Sequence, residues 1–347
     1  MKVFTMPGNL FTTITAFLAT AIMGMAAGPN IVLIISDDAG FADFGFMEEV
    51  TGSASPVPTP NLDSLRARGV LCTNAYTASV CSPSRAAIVT GNYQQRAGYE
   101  FNINNITNAG SPHEGLPNET VTIFERMNNL DYTTGVIGKW HLGARPDKII
   151  NGSVSVAGNR PPRQGVNEFF GILKGSRSYD VGSTSGVGIL RQLQLNAEGL
   201  ESDTVLESVH AGENVTNTFG QGAVDFISRH HSDTNPFFLY VSFTTPHGPI
   251  HNSPDFNDPR ISGLSGKRKQ YASMVLTMDK EIGRILERLD DPNGDNDTTD
   301  GITDNTLVIF INDNGGAKNN GTVNTPLRDW KGSPFEGGIR IPMILAG

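Results

Sequence analysis

Asn30-Ile31-Val32-Leu33-Ile34-Ile35-Ser36-Asp37-Asp38 is an apolar run of strand length that ends on two adjacent carboxylates. It is rich in β-branched residues and has no alternating polar face. That pattern predicts a strand buried on both sides, as in a parallel sheet covered by helices. Three other runs share the character: Tyr132 to Ile137, Pro236 to Phe243 and Thr306 to Asn312. Helical segments fall between them. Asn61 to Arg68 is closed by Gly69, and Thr122 to Leu130 has Thr120 or Thr122 as its cap. In Arg268 to Leu289, Tyr271, Val275, Met278, Ile282, Ile285 and Leu289 recur at helical spacing. The alternation predicts an α/β fold with a mostly parallel central sheet flanked by helices. Gly152 to Arg163 and Asp290 to Asp304 read as loops. The second fails the EF-hand pattern, because Asn296 stands where the turn needs Gly and Ile302 where the closing Glu belongs.

Each of the four strands delivers polar groups just past its carboxyl end. Asp37-Asp38 follow the first, and Gly138, Lys139, Trp140 and His141 follow the second. Thr244-Thr245-Pro246-His247 follow the third, and Asp313-Asn314 the fourth. Ligand sites of open α/β sheets lie beyond that edge. Asp37, Asp38, Asp313 and Asn314 are hard oxygen donors suited to Ca²⁺, with Mg²⁺ second. Lys139, His141 and His247 add cationic and proton-transferring groups. His113, His210, His230 and His231 read as packed or surface residues, and His251 as a neighbour of the pocket.

The net charge of −9 argues against a nucleic-acid partner. Residues 1–27 read as an export signal: Lys2, then a mostly apolar Leu10 to Met23, then Met25-Ala26-Ala27 as a cleavage site. The apolar stretch is short for a membrane span. Residues 28–347 are then the exported domain, periplasmic or secreted, with no stable membrane insertion. Asn105 and Asn214 head Asn-x-Ser/Thr sites that matter only in a glycosylating host. The two cysteines are Cys72 and Cys81. A bridge between them is one reading, but the surroundings of Cys81 point elsewhere. Pro83 suits the first turn of a helix, Arg85 to Val89 continue it and Gly91 ends it. Cys81 then sits at a helix N-terminus, where free N–H groups favour an anion, and Arg85 follows one turn on. This is an anion-binding corner with a nucleophile in it.

The segment Cys81-Ser82-Pro83-Ser84-Arg85-Ala86 resembles the Cys-x-Pro-x-Arg signature of the type I sulfatases, in the alkaline phosphatase superfamily. The resemblance extends in family order over Asp37-Asp38, Gly138-Lys139-Trp140-His141-Leu142-Gly143, Pro246-His247, Asp313-Asn314-Gly315 and Trp330-Lys331-Gly332, then Glu336-Gly337-Gly338. It implies an alkaline phosphatase-like fold and makes 28–347 the catalytic domain of a sulfuric ester hydrolase, arylsulfatase-like. It implies that a maturation enzyme oxidises Cys81 to formylglycine. One hydroxyl of the hydrated aldehyde attacks sulfur, and the other loses a proton to expel sulfate. Asp37, Asp38, residue 81, Asp313 and Asn314 would hold Ca²⁺. Arg85 and Lys139 would hold the formylglycine hydroxyls, and Lys331 a sulfate oxygen. His247 would be the general acid and His141 the base. The substrate would be a sulfated small molecule or polysaccharide. Family members usually carry a further C-terminal subdomain, and the resemblance implies that this sequence, ending at Ile341 to Gly347 in what reads as a strand of the main sheet, is a fragment without it. Ser176 is a weak candidate for a further side chain near the sulfate. The other readings are a phosphomonoesterase or phosphonate hydrolase of the same superfamily, and a non-catalytic module that binds sulfated glycans.

Overall fold

The computed structural model describes residues 28–96, 98–103, 115–151, 153–183 and 188–347. The export signal at 1–27, His113, Asn105 and Gly152 lie outside the described residues. The strands are β1 (Asn30–Ser36), β2 (Gly69–Tyr76), β3 (Thr133–Lys139), β4 (Lys148–Ile150), β5 (Ser153–Val156), β6 (Glu168–Ile172), β7 (Arg191–Leu195), β8 (Glu201–Val205), β9 (Phe237–Ser242), β10 (Thr306–Asn312) and β11 (Arg340–Ala346). The main helices are α1 (Pro60–Ala67), α2 (Cys81–Thr90), α3 (Ile123–Asn128), α4 (Val215–His230) and α5 (Gly266–Asp290).

Among the described residues, nine strands form one sheet in the order β2-β11-β10-β1-β9-β3-β6-β7-β8. The middle five, β10-β1-β9-β3-β6, are parallel. Antiparallel strands close both edges, β11 and β2 on one side and β7 and β8 on the other. The α/β architecture with a mostly parallel sheet is therefore as expected. The strand expected at Ile341 to Gly347 is β11, Arg340–Ala346, between β10 and β2.

The apolar runs lack a polar face because both faces of the sheet are covered. Successive side chains point to opposite faces. Val32 and Ile34 pack in one core with Leu239, Val241 and the apolar stripes of α4 and α5. Leu33 and Ile35 pack in the other with Tyr240, Trp140, Ala86 and Val89 of α2, and Phe124 of α3. Thr122 rather than Thr120 caps α3, in a capping box with Glu125. No helix among the described residues is long and apolar enough to cross a membrane.

Two readings of the sequence change, and one helix cap comes from a distance. The second strand runs on to Lys139, so that lysine is the last residue of β3, not of a following loop. Gly152 to Arg163 is not plain loop: β5 pairs with β4 as a hairpin, and Pro161–Gln164 forms a 3₁₀ turn. Thr59 does not cap α1 with its own side chain. Asp279 of α5 does so from across the core, accepting from Leu62 N at 2.9 Å and Asn61 N at 3.1 Å. Asp290 to Asp304 is a turn as expected, with Asp291 accepting from the backbone of Gly294, Asp295 and Asn296.

Burial pushes the Asp279 carboxyl up to about 6, against the backbone N–H groups of Leu62 and Asn61 that favour its charged form. Between about pH 4 and this value the folded chain keeps a proton that the unfolded chain has released. The stability this group contributes is thus fully present below about pH 4 and lost as pH rises through about 6. Urea unfolding at several pH values across that window should show a slope that Asp279→Asn reduces. Equal slopes in the two proteins would contradict the assignment.

Candidate functional site

The register of the central strands sets the site. Ser36 pairs with Asn312, Ile35 with Ser242, and Ser242 with Gly138. The four carboxyl ends are therefore level, and the residues just past each end meet those just past the others. Gly138 allows a close approach of two strands: a Cβ there would lie 2.0 Å from the Ser242 carbonyl oxygen, and its φ is 109°. Backbone bonds continue past the strands, Asp37 N to Thr245 O and Asp313 N to Ser36 O, each 3.0 Å.

Cys81 is the first residue of α2, after an extended Val80. It is buried. Its Sγ lies 3.1 Å from Lys331 Nζ and 3.7 Å from Asp37 Oδ1. Both cysteines are free, so no bridge joins Cys72 to Cys81. Burial first, then Asp313 and Asp37, push the Cys81 thiol up to about 12 against the pull of Lys139. The unmodified side chain is a protonated thiol at neutral pH, and the protonated form is a poor nucleophile.

Arg85 is fully buried one turn along α2. Its guanidinium reaches Asp313 Oδ2 at 3.0 Å, the Lys139 carbonyl at 3.3 Å and the Ser242 hydroxyl, with Asp37 Oδ2 at 3.7 Å. Ser242 carried no signal in the sequence beyond its place at a strand end. Lys139 Nζ lies 2.6 Å from Asp37 Oδ2, and Lys331 Nζ lies 2.5 Å from Asp38 Oδ1. Three cations thus face three carboxylates. Burial raises the Asp37 carboxyl, but Lys139, then His247 and Arg85, outweigh it and hold Asp37 below its ordinary value. Asp313 goes the other way, raised by burial and by Asp37.

His247 Nε2 is 3.6 Å from Asp38 Oδ2, and its Nδ1 is 2.7 Å from the Gly248 carbonyl oxygen. Tyr179, which the sequence did not single out, donates to the backbone carbonyls of Thr244 at 2.6 Å and His247 at 2.8 Å. It stacks on His251 at 4.3 Å, so His251 borders the cluster without joining it. His141 has a left-handed backbone, φ 56°, as does Asp38 at φ 67°. Such strain in non-glycine residues gathers at functional sites. Gly175 lies against the His141 ring, since a Cβ there would sit 2.4 Å from Cε1. Ser176 follows on this loop, half-buried. Burial, then Lys139 and Arg85, hold the His141 imidazole well below its ordinary pKa, so the ring is neutral. His210 pairs with Glu213 and His230 with Glu168 and Asp233, away from this edge.

Ligating atoms of Asp37, Asp38, Cys81 and His247 lie within 4.8 Å of one another. Asp313 Oδ1 accepts from Asp38 N at 3.2 Å, which ties the fourth strand end to the first. Asn314 donates Nδ2 to Asp38 Oδ1 at 2.8 Å, and its Oδ1 is buried with no protein partner. A buried amide oxygen without a partner beside three carboxylates fits a hard divalent cation.

The comparisons point in one direction. The family model described as Sulfatase matches residues 29–347. An N-acetylgalactosamine-6-sulfatase of Mus musculus is 34% identical over 334 residues, covering 92% of this chain and 58% of its own length. A sulfatase of Formosa agariphila is 31% identical, over 91% of this chain and 63% of its own. The crystal structure of Ps i-CgsB in complex with k-i-k-neocarrahexaose aligns with a TM-score of 0.74 at 30% identity, covering 92% of this chain and 66% of that one. The chain therefore spans 58% of the length of the mouse protein it matches.

Titrating Ca²⁺ into the metal-free chain should raise its thermal midpoint, because the ion would bind the folded arrangement alone. At a hundred times Kd the gain is about 2.7 kcal/mol. Asp38→Ala should abolish the shift. An equal shift in that variant would remove this cluster as the binding site.

Proposed function

The chain belongs to the sulfatase family, and from that membership we propose that it hydrolyses sulfate esters of aryl or carbohydrate alcohols at the Cys81 site. The observation that carries the reading is the placement of Cys81. It heads a helix, 3.1 Å from Lys331 Nζ and 3.7 Å from Asp37 Oδ1, with Asp38 and His247 in the same cluster. A sulfate ester carries one negative charge, and the helix N-terminus with Lys331 offers it both N–H groups and a point charge. Sulfated glycans are the favoured natural substrates. In support, the mouse relative is named for N-acetylgalactosamine-6-sulfate chemistry, and Ps i-CgsB was solved with a neocarrahexaose. The export signal read at 1–27 belongs to the same proposal and would carry the enzyme to such polymers.

The thiol of Cys81 is held protonated, a weak nucleophile until a separate maturation enzyme converts it to formylglycine, whose hydrated aldehyde supplies the attacking oxygen. Ca²⁺, held by Asp37, Asp38, residue 81, Asp313 and Asn314, would polarise the sulfate oxygens and acidify the attacking hydroxyl. The remaining work falls to side chains. Arg85 and Lys139 stabilise charge at residue 81 from below, where water does not reach, and such fixed charges act strongly in a dry site. Lys331 holds a sulfate oxygen. His247 donates its Nδ1–H to the Gly248 carbonyl, so in the imidazolium form Nε2 carries the proton transferred to the leaving alcohol oxygen. His141, neutral and buried beside Ser82, takes a proton when sulfate departs.

Expression with a maturation enzyme should yield a peptide in which residue 81 is an aldehyde, trapped by a hydrazide and read by mass spectrometry. Unmodified cysteine under those conditions would count against the mechanism. The matured chain should cleave aryl sulfate in preference to aryl phosphate, and the reverse preference would favour the phosphatase reading. Cys81→Ala should abolish turnover. A binding module without chemistry would leave parent and variant alike.

His247→Ala should lower kcat on aryl sulfate by about 10²–10⁴-fold, the usual worth of one general acid. The loss should shrink for esters with more acidic leaving alcohols, which need less protonation. A loss independent of the leaving group would assign His247 another role.

A further inference from the structure

Lys331 is the one proposed sulfate contact that no strand or helix places. It lies in the irregular segment between β10 and β11, and its side chain must cross to Asp38 and Cys81. A flexible four-carbon stem gains directional precision only if its backbone is held. Resting on the role given to Lys331 above, we propose that Asn324 is the positioning residue for that lysine.

Asn324 is buried and spends its whole amide on backbone. Its Oδ1 accepts from Phe41 N at 3.2 Å and Gly316 N at 3.0 Å. Its Nδ2 donates to Gly316 O at 3.0 Å and Asp329 O at 3.2 Å. Two N–H groups face one end and two carbonyls the other, so the amide has a single workable orientation. The three partners tie the loop after β1 to two distant points of the segment after β10. Phe41 follows Asp37-Asp38 after β1, Gly316 follows Asp313-Asn314 after β10, and Asp329 leads into Lys331. The segment is pulled in again when Lys331 N donates to the same Gly316 carbonyl at 3.1 Å.

Asp329 also holds a left-handed backbone, φ 67°. A non-glycine residue keeps such a conformation when its surroundings enforce it. The bond from Asn324 lands on the carbonyl of that residue. Loss of the Asn324 amide would let Asp329 relax and the Lys331 backbone move with it. Asn324 touches no reacting atom, so its effect on chemistry passes through Lys331.

The test reads Lys331 directly. The full chain is treated with N-hydroxysuccinimidyl acetate, and acetylation is followed residue by residue by mass spectrometry. In the parent, Lys331 should react slowly because Asp38 and Cys81 engage its amine, and Lys139 should be protected in the sheet. In Asn324→Ala, Lys331 should react several-fold faster while Lys139 is unchanged. Asn324→Asp has nearly the same volume and keeps the oxygen that accepts from Phe41 and Gly316, but loses both donors. It should do the same, and it serves if the alanine variant fails to fold. Unchanged Lys331 labelling, or a joint rise of Lys331 and Lys139, would overturn the proposal. The activity arm uses matured enzyme on aryl sulfate. A shift of about 1 Å at a catalytic group costs up to roughly 10²-fold, so Asn324→Ala should lose about 10- to 100-fold in kcat. Combined with Lys331→Ala it should be no slower than Lys331→Ala alone, whereas multiplicative losses would count against positioning. If Lys331→Ala alone keeps parental turnover while the labelling change occurs, the role of Lys331 falls and the positioning by Asn324 stands.

Discussion

A guanidinium with no exposure to solvent lies at the centre of this structure. Isolating one such charge in the interior would cost several kcal/mol, and removing a partner from a buried pair commonly costs about 3–5 kcal/mol. Arg85 avoids the isolation only because four segments meet around it. Asp313 comes from the end of β10, the Lys139 carbonyl from β3, the Ser242 hydroxyl from β9, and Asp37 from the end of β1. Those groups are within reach because the parallel strands end level. Arg85 thus pins α2 to the sheet edge. Cys81, one turn before it on the same helix, is carried to the sheet edge with it.

The same arrangement explains how acidic and basic side chains can crowd together inside a protein of net charge −9. Arg85, Lys139 and Lys331 are matched by Asp37, Asp38 and Asp313, so the buried edge is close to neutral as a whole. Neutrality overall does not mean uniformity. Asp37 is held low by its lysine, and Asp313, with Asp37 beside it, is raised. His141 is kept neutral by burial and by the two cations next to it. One small volume therefore contains groups poised to hold an anion, a cation and a mobile proton.

Much of this was legible in the sequence, and the reason is local. A two-sided buried strand must be a continuous apolar run, so β1, β9 and β10 announce themselves, and the polar residues that end them are placed by the parallel topology. What was missed depends on contacts that no local pattern encodes. β2, with exposed residues along the sheet edge, has no clear period. β7 and β8 are short and polar, and they take strand form from pairing, β7 with β6 and β8 with β7. The cap of α1 comes from Asp279, more than two hundred residues away in the chain, and nothing near Thr59 signals it. Tyr179 and Ser242 reached the site for the same kind of reason, through carbonyls and a guanidinium brought to them by the fold.

Regular elements and loops also divide the labour here. Asp37, Lys139, Asp313 and Arg85 sit on or immediately beside strands and a helix, where the backbone is already satisfied. The segment from Gly315 to Phe335 has no such support, and its backbone groups must find partners one by one. It finds them in Asn324, and in Asp43, which accepts from Gly40 N at 3.1 Å and Val323 N at 3.0 Å. Asp43 is in turn held by Arg268 at 2.6 Å and the Tyr271 hydroxyl at 2.7 Å, both from α5. The loop carrying Lys331 is thus anchored to the long helix under the sheet by buried polar bonds, beside the packing of Leu327 on the core. Buried polar networks specify one arrangement because a partly satisfied alternative is costly. A loop held in that way can present a lysine with the fidelity of a strand while remaining irregular, which is what a site assembled from both kinds of element requires.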